Sequence, residues 1–367
     1  MSRFELATVA DDAELRAFES SVSMPGAIRL SSCREPDYFA SVRVEGTPVE
    51  VIISRDDDTG RITGCGHRAI RQMSINGEPA IGGYLSGLRI RPSAQRGTLL
   101  ARGYEFLRGL HADRQVPFYL TTIMEDNHQA KAALLGGRGG LPQYHDFGRF
   151  CCVAASLNQS NSAKRDATLL VRQATASDSA IIFAFWEQQR KARQFFPRYQ
   201  PTDFGPLGLL PNLTWDDIFL AIRDGRLVGM LAAWDQRPFR QWRVAGYSPA
   251  LRFARRPWNF LASLTKSPRL PAAGAVLSYF VLSLVCIQND DRAVFAAVLD
   301  EVLRARRGQF DFFVAGLHER DPLLPELLAR RYFPLTSRLY VAAWEDGAKR
   351  VAELDRGMVP YLEVGAL

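Results

Sequence analysis

Cysteine is scarce here and poorly spaced for chemistry. Cys33, Cys65, Cys151, Cys152 and Cys286 include no Cys-x-x-Cys pair, which excludes the common zinc and dithiol redox centres. Their odd number, and the adjacency of Cys151 and Cys152, fit free thiols in a reducing compartment. Histidine is as rare, and none of His67, His111, His128, His145 and His318 falls at metal-ligand spacing. Core or surface roles are expected of all five, and no metal. No apolar run is long enough for a membrane. The best, Ala272 to Ile287, contains Ser278 and Ser283 and falls short of the roughly 20 residues a spanning helix needs. The opening MSRFELATVADDAEL has acids where a secretory leader needs an apolar stretch. A cytoplasmic location with no membrane span is the expectation.

What is present describes an ordinary globular chain. Its 367 residues suggest two or three domains, and 47% apolar with 23% charged residues is enough to build sizeable cores. The net charge of +7 comes from 46 Lys and Arg against 39 Asp and Glu. A surplus of that size suits an anionic cofactor or substrate, and it is too diffuse to demand nucleic acid.

One segment, Leu157 to Thr168 (LNQSNSAKRDAT), has the polar composition of a linker. The halves on either side repeat one order of elements. In the first, a strand at Phe4 to Val9 leads to a helix starting near Asp11. A hairpin follows, from Val49 to Ser54 and Arg61 to Ile75 about the turn Asp56 to Gly60. In the second, Leu169 to Gln173 leads to a helix opening at Thr175, then a hairpin from Ile218 to Ile222 and Arg226 to Trp234. Each half closes with strand, helix, strand, helix, strand. The expected fold is therefore α/β (α+β), two mixed, mostly antiparallel twisted sheets flanked by helices. The expected boundaries are a domain over 1–157, a linker over 158–167, a second domain over 168–345 and a C-terminal tail over 346–367.

The informative stretch is Leu85 to Leu110, LSGLRIRPSAQRGTLLARGYEFLRGL. A strand ending in Leu88-Arg89-Ile90 meets a Pro-Ser turn, and a helix begins near Arg96-Gly97. Leu99, Leu100, Gly103, Tyr104, Leu107 and Leu110 recur at helical steps, so one face of that helix is buried. Small residues at its start, Gly97, Thr98 and Ala101, would let a phosphate approach the unpaired N–H groups of the first turn. Arg91 and Arg96 add positive charge at the same end. Downstream, Asn127-His128-Gln129-Ala130 opens a further helix.

These residues resemble the GNAT N-acyltransferase family, whose pyrophosphate loop reads Arg/Gln-x-x-Gly-x-Gly/Ala between its fourth strand and third helix. Arg96-Gly97-Thr98-Leu99-Leu100-Ala101 matches at its first and last positions, with Leu99 where the family has its central glycine. Asn127 to Ala130 matches the Asn-x-x-Ala of the family's fourth helix. The resemblance implies acetyl-CoA as co-substrate, lying along Leu88, Arg89 and Ile90, over Arg96 to Ala101 and against Asn127. It also implies direct transfer of an acetyl group to a primary amine of a small molecule or peptide, with a strand N–H steadying the oxyanion. The family's thiolate-protonating tyrosine is replaced by Leu134. Tyr144, in the loop before the last strand, is the nearest alternative acid. The fourth strand offers Tyr84 and Ser86 where relatives have a carboxylate base, and Asp126 is expected to cap the following helix.

Other readings stay open. Without the usual base and tyrosine, the chain could be a non-enzymatic acyl-CoA-binding regulator or scaffold. A tRNA-dependent aminoacyl transferase of paired domains is a third reading, although nucleic acid is not an expected partner. Its support is the segment Pro249 to Pro271, where Arg252, Arg255, Arg256, Lys266 and Arg269 alternate with Phe253, Trp258 and Phe260 and no acid appears. That segment is expected to be a half-packed insertion. In the second half, Asp290 and Asp291 stand where a phosphate would bind, so that copy is expected to have lost its cofactor. Gly64-Cys-Gly66-His-Arg-Ala69 matches a dinucleotide fingerprint by pattern alone, because it opens no helix.

Overall fold

The structure, a computed structural model, describes residues 2–24, 28–94, 98–137, 139–158, 166, 168–265 and 270–367. The first half begins with β1 (Ser2–Leu6), α1 (Asp12–Ser21), β2 (Ser23–Met24), β3 (Ile28–Cys33) and α2 (Tyr38–Val42). It continues through β4 (Val49–Asp56), β5 (Ile62–Ile75), β6 (Glu78–Ile90), α3 (Leu99–His111), β7 (Tyr119–Met124), α4 (His128–Leu134) and β8 (Gln143–Ser156). The second half opens with β9 (Leu169–Gln173), α5 (Ser179–Gln189), β10 (Arg193–Gln194) and β11 (Phe196–Pro197). Then come β12 (Ile218–Arg223), β13 (Arg226–Trp234), β14 (Gln241–Tyr247), α6 (Pro249–Thr265), β15 (Tyr279–Ile287) and α7 (Arg292–Arg306). It closes with β16 (Phe312–His318), α8 (Leu324–Leu328), β17 (Tyr332–Pro334), β18 (Ser337–Ala343), α9 (Ala348–Ala352) and β19 (Val359–Pro360).

The two expected sheets are one. Its path runs β1-β4-β5-β6-β7-β18-β8-β16-β15-β13-β12-β9. The closing strand of each half has crossed to the other: β18 pairs with β7 over six positions, and β8 pairs with β16 over seven. The two exchanged strands also pair with each other. A physical reason is at hand, since each half-sheet would otherwise end in an open edge, and exchange closes both. A second sheet, β14-β3-β2, ties the halves together away from the main path.

Helices cover both faces. Strand β13 is accordingly apolar along nearly its whole length, with Leu231 and Ala233 in the core under α7 and Met230, Ala232 and Trp234 in the core under α5. In the first half, Leu85, Tyr104, Leu107 and Tyr119 pack beneath α3, and Leu15, Phe18, Tyr38 and Ile53 pack beneath α1 and α2. The expected linker lies almost wholly outside the described residues. The stretch expected as a tail carries α9 and β19, and packs into the core through Val351, Leu354 and Leu362.

Candidate active site

Strands β6 and β7 run parallel but pair only at Gly83–Tyr119 and Tyr84–Leu120. Beyond that point β6 continues to Ile90 and β7 to Met124, so the sheet opens. At the opening β6 bulges: Cys65 faces Arg89 and His67 faces Ser86, leaving Gly87 and Leu88 opposite Gly66 alone. Gly87 sits at φ +63°, and a Cβ there would stand 2.5 Å from the His67 ring. Glycine is required on both counts.

Under the bulge lies a buried polar network. Glu45, on the turn after α2, accepts from the Ser86 hydroxyl at 2.6 Å and lies 2.9 Å from His67 Nδ1. Its other oxygen accepts from Arg240 Nη2 at 2.6 Å. His67 Nε2 lies 2.8 Å from the Tyr38 hydroxyl, which is 3.4 Å from Cys65 Sγ. Glu45, His67 and Tyr38 are at most 2% exposed, whereas Ser86 and Gly87 are half-buried and Leu88 is exposed. Ser86 is therefore the accessible end of the network.

Alongside, Glu19 pairs with Arg89 at 2.9 Å and with Arg34 at 3.6 Å. Four cationic groups (Arg34, Arg89, Arg240, His67) thus meet two carboxylates (Glu19, Glu45), a local surplus of two. Burial opposes charge on His67, but the adjoining Glu45 carboxylate outweighs it and raises the imidazole to about 10. Burial opposes charge on Glu45 too, and the His67 charge nonetheless holds it below the usual carboxylate range. Burial, with Arg34 nearby, lowers Arg240 to about 10. The pair is consequently His67 cation and Glu45 anion at neutral pH.

Of the residues expected from sequence, Leu88, Arg89 and Ile90 line the opened end of β6. Thr98, Leu99, Leu100 and Ala101 form the start of α3, and no described side chain caps it. Arg96 and Gly97 lie outside the described residues. Asn127, not Asp126, caps α4: its carbonyl oxygen accepts from Ala130 N–H at 3.0 Å. The amide has the better reach because Asp126 still belongs to the turn leaving β7.

Tyr84 is closed in the core beside Phe118 and Leu120, with the Arg71 guanidinium 3.9 Å from its ring centre. Tyr144 stands in a strand and not in a loop, because β8 starts at Gln143 and pairs with Ala343 and Ala342. Its hydroxyl lies 2.5 Å from that of Tyr104 on α3, and β18 separates its strand from β7. Burial raises both phenols, Tyr104 to about 12. The start of α3 follows the opened end of β6 in the chain, and Tyr144 packs against the cluster beneath α3 that holds Leu85, Tyr104 and Tyr119. Sequence reasoning passed over Glu45, His67, Tyr38 and Arg240. The signal available was His67 two residues from Cys65 in a strand facing Ser86.

In the second half the same construction is filled. Strand β15 bulges between Ser283 and Cys286, with Leu284 at φ +51°. There Leu284 N–H donates to Glu363 at 3.0 Å and Val285 N–H to the Tyr361 hydroxyl at 3.1 Å. The start of α7 is capped by Asp291, which accepts from Ala293 and Val294 N–H. Asp290 pairs with Arg193.

No family model matches the chain, and no curated protein matches it by sequence. Solved structures do match by shape. N-myristoyltransferase of Saccharomyces cerevisiae, solved with bound myristoyl-CoA, aligns with TM-score 0.58 at 11% identity, over 92% of this chain and 82% of that one. A GCN5-related glucosamine N-acetyltransferase region in a fungal multi-domain β-N-acetylglucosaminidase gives the same TM-score and identity over 93% of this chain. This chain spans 38% of that fungal protein. A probable N-acyltransferase of Enterococcus faecalis aligns with TM-score 0.52 at 9% identity. The fold is that of the GCN5-related N-acetyltransferases. Among the described residues no helix is long and apolar enough to cross a membrane.

Proposed function

We propose that the first half is an acyltransferase site that moves an acyl group from acyl-CoA, acetyl-CoA in the first instance, to a primary amine. The observation that carries it is the opened β6–β7 pair, with the half-buried Ser86 hydroxyl beside it on the Glu45–His67 pair. The residues present fit such a donor. Past Tyr84 and Leu120 the strands β6 and β7 no longer pair, which leaves backbone groups of β6 for an extended arm. The start of α3, with Arg91 and Arg96 in sequence before it, suits a pyrophosphate. When bound, the donor supplies a thioester carbonyl. The N–H groups of the bulge at Gly87 and Leu88 are the donors available to its oxygen. Nitrogen–carbon bond formation and carbon–sulfur cleavage then require a proton at the sulfur.

Ser86 is the group in reach. It gives its proton to the sulfur and recovers one from the His67–Glu45 pair, which is protonated at neutral pH. The proton shed by the acceptor nitrogen restores the pair. The local surplus of positive charge favours an acceptor with a carboxylate or phosphate close to its amine. The second half, its bulge and helix start occupied by its own side chains, serves as a degenerate copy that binds no nucleotide. The test is CoA release. With an amine acceptor, Ser86→Ala should lower turnover about 10²-fold, the scale of one general acid, while CoA affinity stays unchanged. Binding of CoA with no release for any amine would instead favour a regulatory acyl-CoA-binding protein.

A further inference from the structure

Helix α6 is a basic amphipathic helix set the wrong way round for a water-soluble surface. Seven residues separate Phe253 from Phe260, which at 100° per residue puts them about 20° apart on one face. They are 83% and 70% exposed; Trp258, about 140° round the helix from Phe253, lies off that face. The polar edge does the packing. Arg255 Nε donates to the Leu270 carbonyl at 3.1 Å, and Asn259 makes two bonds with Leu270, at 2.9 and 2.7 Å. Arg252 and Arg256, both exposed, lie along one side of the aromatic face, about 100° and 60° round the helix from Phe253. No acid occurs from Pro249 to Pro271. At the start of the helix an open cleft of about 440 Å³ is lined by Arg29, Tyr247, Ser248, Pro249, Arg252 and Phe253.

We infer that α6 docks on an anionic lipid bilayer, with Phe253 and Phe260 entering the headgroup–acyl boundary and Arg29 and Arg252 holding a lipid phosphate in the cleft. An outward apolar face bordered by cations is the arrangement of an interfacial helix, which combines apolar insertion with electrostatic attraction. A helix that grips nucleic acid would turn its cations outward, toward phosphates. Here two rings, Phe253 and Phe260, stand exposed beside the cations, as insertion into a bilayer requires. Strand β14, seven residues or about 20 Å long, separates α6 from Arg240, so the docking surface stands apart from the acyl-transfer site and does not depend on it.

Co-sedimentation with vesicles tests this on the full chain. Vesicles of phosphatidylcholine mixed with phosphatidylglycerol should bind the protein, and added salt should weaken binding. Arg252→Glu with Arg256→Glu should weaken it at least about 30-fold, the effect expected of removing two surface cations. Phe253→Ser with Phe260→Ser should abolish it, and Phe253→Ser alone should weaken it at an unchanged melting temperature, since that ring is 83% exposed. Equal binding to pure phosphatidylcholine would overturn the inference, as would absence of binding to either vesicle. So would a dimer in solution that the two serines dissociate, because a second copy would then be the occupant. Binding of a single-stranded oligonucleotide without vesicle binding would overturn it equally.

Discussion

His67 owes its charge to one neighbour. Its raised folded-state pKa, about 10 against an ordinary 6.5, adds stability that is fully present below about 6.5 and is lost as pH climbs through 10. Glu45, lowered from an ordinary 4.5, adds stability that is present above that value and lost in acid. Both contributions overlap across the neutral range. Melting temperature should therefore fall between pH 8 and 10 in the native protein, and His67→Gln should flatten that slope. An equally steep alkaline fall in the variant would mean that His67 is not charged when folded. Tyr144 makes the opposite case. Its buried hydroxyl is engaged by Tyr104, so Tyr144→Phe should cost about 1 kcal/mol of stability, the scale of one hydrogen bond, with turnover retained. A loss of turnover near 10²-fold at unchanged stability would return it to the chemistry.

Elements were the legible scale, because hydrophobic period and turn residues act over a few positions. The hairpins at 49–75 and 218–234 and the strand–helix–strand of each half all appear. What could not be read locally was pairing across the chain. Glu45 meets Arg240 across 195 positions, and neither sits in a periodic segment. The bulge at Gly87 was hidden for the same reason, since its need for glycine comes from His67 on the next strand. Gly87→Ala should therefore strain the backbone by about 1–3 kcal/mol and push the imidazole off Glu45. Calorimetry and a turnover assay together should show both losses, and a fully active, fully stable alanine variant would remove the bulge from the argument. The helix starts differ in the same physical terms. That of α7 is occupied by Asp291, whereas no described side chain caps that of α3. A CoA titration should give one site per chain, weakened by Arg96→Glu, which sets a carboxylate against phosphate.

At the scale of the molecule, the exchange of β8 and β18 decides how the protein unfolds. Two independent halves joined by a polar linker would melt separately. Here β18 is hydrogen-bonded to β7 of the first half and β8 to β16 of the second, and the two lie against each other in the middle of the sheet. Neither half keeps a complete sheet without the other. A fragment covering 1–157 would expose the β7 edge and hold a β8 with no strand on either side, the condition that invites pairing with other chains. Sites also cross the boundary, since Glu45 of the first half bonds Arg240 of the second. Thermal unfolding of the whole chain should accordingly be one transition, with calorimetric and van't Hoff enthalpies equal. The 1–157 fragment should be associated or unfolded at the same temperature. Two resolved transitions, or a monomeric fragment with native-like circular dichroism, would show that the halves stand alone and that the exchanged strands add little to cohesion.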